Sequence, residues 1–104
     1  MLNWLKSKLG SGQESPISLI ADCVRLAEEL GHIEESDLRV TAIIEEIEEG
    51  LRGLTKFVGE DDPKQIKTEL AIITSSLRKL KGFRHDKFSE LKVTFQRLKT
   101  ILQS

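Results

Sequence analysis

The chain has 104 residues, 38% hydrophobic and 32% charged, with a net charge of −1, which allows one hydrophobic core and excludes both a disordered composition and two cores of useful size. Four Phe, one Trp and no Tyr leave the core to Leu and Ile, and a single cysteine rules out an internal disulfide. The near-zero net charge hides a split: residues 32–63 hold 3 basic and 10 acidic groups, whereas residues 64–104 hold 10 basic and 3 acidic.

At the N-terminus, Leu2, Leu5 and Leu9 recur at helical spacing with Trp4 beside them, followed by the flexible link Gly10-Ser11-Gly12. So short a helix is marginal alone in water. Residues 1–12 are therefore expected to be an amphipathic segment and linker that folds back on its own bundle or engages a partner. Residues 13–104 are expected to be the bundle domain. Lys6 and Lys8 add too little charge for stable membrane binding.

Ser15-Pro16 reads as an N-cap followed by proline at the first helical position. The helix continues through Ile17, Ile20, Val24, Ala27 and Leu30, broadened by Leu19, Cys23 and Leu26, and Gly31 is expected to end it. Cys23 reads as a small core residue. After a turn, Ser36 is expected to cap the central helix, with Asp37 in its first turn. Val40, Ile44, Ile47, Leu51, Leu54 and Val58 alternate at spacings of four and three, making a seam flanked by Ile43 and Phe57. Gly50 leaves a notch in that stripe. Gly53, on the outer side, costs about 1 kcal/mol relative to Ala with no packing return visible from sequence.

Asp62-Pro63-Lys64-Gln65 is a close variant of the capping box and opens the next helix. Its seam is Ile66, Leu70, Ile73, Leu77 and Leu80. The last helix repeats the pattern with Phe88, Leu91, Phe95, Leu98 and Leu102, and Asp86 is its expected cap. The connection across residues 81–85 is short, so these two helices are expected side by side and antiparallel. The fold class expected is all-α: an antiparallel up-down four-helix bundle preceded by a short N-terminal amphipathic helix. The acidic central helix should sit beside a basic neighbour.

Chemistry finds few candidates. The E-E-x-x-E spacing of Glu45, Glu46 and Glu49 resembles the first half of the magnesium motif of all-α nucleotide pyrophosphohydrolases of the MazG type. That resemblance implies a divalent ion and requires E-x-x-D on the following helix, where this chain carries Glu69-Leu70-Ala71-Ile72. Half a motif, on a face turned from the seam, leaves this enzyme the least favoured reading. Glu29 and His32 have the spacing of a di-iron ligand pair, but no second copy follows, and His85 lacks a phosphotransfer neighbourhood. No catalytic residue, metal ligand set or cofactor is expected.

Two binding readings remain. Ile72 lies off its seam among Thr68, Ala71, Ser75 and Ser76, and Val93 and Ile101 lie off theirs, which suggests a second contact surface. The favoured expectation is a non-enzymatic, cytoplasmic protein-interaction module: an adaptor, chaperone or assembly subunit binding a protein partner or a second copy through helix faces. Ile72 and Val93 would make the apolar contact, with Leu2, Trp4 and Leu5 as a latch. The alternative is a small nucleic-acid-binding subunit gripping phosphates through Arg78, Lys79, Lys81, Arg84 and Lys87. The longest apolar runs fall far short of the roughly 20 residues that span a bilayer, and no secretory leader is evident.

Overall fold

The computed structural model of the chain describes residues 15–33, 36–80 and 86–103. Among them are four helices and no strand: α1 (Pro16–Ile33), α2 (Leu38–Gly59), α3 (Pro63–Lys79) and α4 (Asp86–Gln103). The expected helix at the N-terminus lies outside the described residues.

Each start follows from its first few residues. Pro16 opens α1, and the Leu19 N–H donates to the Ser15 carbonyl at 3.0 Å. The cap of α2 is Asp37 rather than Ser36: its carboxylate accepts from the Arg39 and Val40 N–H groups at 3.1 and 3.2 Å. An ionised acceptor at this position also complements the helix dipole, so the helix begins one residue later than expected. Asp62 caps α3 as expected, accepting from the Gln65 N–H at 3.2 Å with Pro63 at the first position.

The ends were less legible. Gly31 does not stop α1, which runs two residues further to Ile33. A Cβ at Gly31 would lie 3.7 Å from Ile44, so this glycine sits against α2 rather than in a left-handed cap. At the end of α2, the Asp61 N–H donates to the Val58 carbonyl at 3.2 Å and the Asp62 N–H to the Phe57 carbonyl at 3.1 Å. This is the paired 5→2 and 6→1 pattern of a Schellman motif. Its left-handed residue is Asp61, with φ 54°, not a glycine.

The core gathers Leu19, Ile20, Cys23, Leu26, Ala27 and Leu30 from α1 with Ile44, Ile47, Leu51, Leu54 and Val58 from α2. Ile66, Leu70 and Ile73 of α3, Leu80 just after it, and Phe88, Leu91, Phe95, Leu98 and Leu102 of α4 complete it. Val40, Ile43, Phe57 and Leu77 pack half-buried against it. Ile17, placed in the α1 seam by spacing, is instead 43% exposed. The buried face of α1 is rotated toward Leu19, Cys23 and Leu26. Ile101, assigned to the outer surface, packs against the core.

α2 and α3 approach at glycine. A Cβ on Gly50 would come within 2.6 Å of Ile73 Cγ1, so the notch in the central stripe is filled by that side chain. Gly53 faces α3 rather than open solvent: a Cβ there would lie 3.2 Å from the Glu69 carboxylate, the mobile end of that side chain. Ser76, read as surface, is buried at the same contact and donates to Glu46 Oε1 at 3.4 Å.

α1 packs on both α2 and α4, whereas α3 packs chiefly on α2. The expected intimate α3–α4 pair is a looser contact, bridged where Lys99 Nζ donates to Thr74 Oγ1 at 3.4 Å. Burying a Leu or Ile stabilises by roughly 1.5–3 kcal/mol, whereas an exposed ion pair contributes about 1 kcal/mol or less. The apolar seams, not the charge split, hold these helices together.

Candidate interaction surface

Val93 is 60% exposed and lies in an open groove between α1 and α4. Asp22, Arg25 and Leu26 form one wall, and Ser89, Glu90, Val93, Thr94 and Arg97 the other, around about 440 Å³. Leu26 belongs to the core, so Val93 extends the buried interior toward solvent at this point. Its position follows from spacing. Val93 stands two residues from both Leu91 and Phe95 of the seam, a rotation of roughly 200° either way, so it cannot share their face.

Ile72, 46% exposed, is on a different surface. Thr74 faces α4 through Lys99, and Ile72, two residues before it, points to the far side of α3. The two residues expected to act together are therefore not brought together. Leu2, Trp4 and Leu5 lie outside the described residues. Sequence reasoning missed Ile33, 46% exposed, and Leu38, 80% exposed, which flank the turn between α1 and α2. Leu38 could have been found by its offset of two residues from Val40, which puts it opposite the seam.

The basic cluster is partly neutralised. Lys79 meets Glu46 at 3.1 Å and Lys87 meets Glu29 at 3.0 Å. Arg78 is exposed, while Lys81 and Arg84 lie outside the described residues. Glu29 also faces Arg25 at 3.6 Å. The hydrogen bond and charge of Lys87, with Arg25 behind it, hold the Glu29 carboxyl below its ordinary pKa.

The acidic run of α2 is divided among other roles. Glu46 engages α3 through Ser76 and Lys79, Glu48 pairs with Arg52 at 3.3 Å, and Glu45 and Glu49 are exposed. Partial burial, with Glu28 and Glu45 nearby, pushes the Glu48 pKa up despite Arg52. Among the described residues, no three His, Cys, Asp or Glu side chains come together as a metal site. Cys23 is fully buried, and desolvation, with Asp22 adding to it, pushes its pKa up to about 12. Such a thiol is not poised as a nucleophile.

None of the described helices is long and apolar enough to cross a membrane. Comparison of the chain with protein-family models, with curated proteins and with solved structures gives no match.

Proposed function

We propose that this chain is a non-enzymatic protein-interaction module, cytoplasmic, whose contact surface is the groove between α1 and α4. The observation that carries the reading is Val93, an aliphatic side chain left 60% exposed between charged walls and continuous with the core through Leu26. An apolar centre rimmed by charge is the ordinary anatomy of a protein contact: the centre supplies affinity and the rim fixes orientation. The proposal includes the antiparallel up-down order of the four helices. The cross-helix pairs Glu46–Lys79, Gly53–Glu69 and Glu29–Lys87 support it, because numbers rise along one helix as they fall along the next.

The phosphate-binding alternative is weaker, because Lys79 and Lys87 already face carboxylates. Site-specific photo-crosslinking in the native host tests the favoured reading. A photoreactive residue at position 93 should give a discrete protein adduct, and one at the exposed position 67 of α3 should not. No adduct at position 93, or the same adducts at both positions, would refute it.

A further inference from the structure

We infer that the α1–α4 face pairs with a second copy of this chain, about a two-fold axis crossing α4 between Val93 and Thr94. The inference rests on the reading of this groove as the contact surface and adds the identity of the occupant. Its warrant is the order of charge along the two walls. Glu90 lies three residues before Val93 and Arg97 four residues after it. The two opposite charges therefore stand at equal distances, roughly 5 Å along the axis, on either side of the point between Val93 and Thr94.

A two-fold axis through that point lays α4 antiparallel on its copy. Glu90 of each chain then meets Arg97 of the other, and Val93 and Thr94 meet at the centre. The α1 wall obeys the same rule. Asp22 and Arg25 stand one turn apart with opposite signs, and the axis sets Asp22 of one copy against Arg25 of the other. Arg25 reaches Asp22 at 3.8 Å and Glu29 at 3.6 Å within its own chain, both exposed and long pairs, so its guanidinium can also donate to an intermolecular carboxylate. Parallel pairing would oppose Glu90 to Glu90 and Arg97 to Arg97, so the charges select the antiparallel arrangement.

The lining holds as many acidic as basic groups, which suits a surface complementary to itself better than a strongly charged partner. With one exposed valine per chain at its centre, the dimer is reversible rather than obligate.

Sedimentation velocity across a concentration series tests this, with circular dichroism confirming that each variant is folded. The wild-type chain should pass from monomer to dimer. Glu90→Arg and Arg97→Glu should each weaken the dimer at least about fivefold, because each places like charges together twice per dimer. The double variant Glu90→Arg/Arg97→Glu should recover wild-type association. Mixing the two single variants should give a heterodimer tighter than either homodimer. A wild-type monomer at all concentrations up to about 1 mM, or a dimer indifferent to these reversals, overturns the inference. A monomer that still cross-links to a different protein through position 93 rejects the second copy and leaves the contact-surface reading standing.

Discussion

Asp61 holds φ 54° where α2 turns into α3, a conformation that favours glycine over residues bearing a Cβ. Asp61→Gly should therefore stabilise the fold by about 0.5–1 kcal/mol, and Asp61→Val should destabilise it by at least as much, read from urea melts. The two helical glycines of α2 make a sharper pair. At Gly50 an added Cβ meets Ile73 at 2.6 Å inside the core, so Gly50→Ala should cost about 1–3 kcal/mol by overpacking. At Gly53 the neighbour is the far end of the Glu69 side chain, which can swing away. Gly53→Ala should then be neutral or stabilising by up to about 1 kcal/mol, since the helix gains propensity. Equal effects in the two melts would contradict the close α2–α3 approach. Cys23, its pKa pushed up to about 12, should resist thiol reagents at neutral pH until denaturant exposes it.

At the scale of the helix pair, Glu29 of α1 and Glu48 of α2 have opposite pH dependence. Glu29, held below its usual pKa by Lys87 and Arg25, ties α1 to α4. Its stabilisation is present above the unfolded value near 4.5 and is lost as pH falls through the folded value. Glu48, its pKa raised by burial beside Glu28, behaves the other way. Its contribution is full below the unfolded value near 4.5 and is lost as pH rises through the folded value. Glu29→Gln should flatten the acid-side fall of stability, and Glu48→Gln should remove the loss on the rising side. Denaturant midpoints between about pH 3 and pH 7 read both.

The central seam was legible because Ile44, Ile47, Leu51, Leu54 and Val58 repeat at helical spacing wherever the neighbours lie. Ile17, Gly53 and Ser76 were misread because their burial depends on which helix comes close, and spacing within one helix carries no record of that. The same limit applies to the candidate surface. Val93 could be singled out from its offset, but Asp22 and Arg25 join it only once α1 is known to pack on α4.

Across the whole molecule, the charge split between the acidic and basic halves is used partly inside the fold. Glu46 binds Lys79 across α2 and α3, and Glu29 binds Lys87 across α1 and α4. The charges lining the α1–α4 groove are balanced, which gives orientation to a contact without net attraction. The proposed contact uses this one face and not the surfaces around Ile72 and Arg78. Backbone amide spectra recorded during dilution of the native chain test the pairing of two copies through this face most directly. The account predicts concentration-dependent shifts clustered on residues 22–26 of α1 and 89–97 of α4. Shifts centred instead on Ile72 or Arg78, or a spectrum unchanged by dilution, would contradict it.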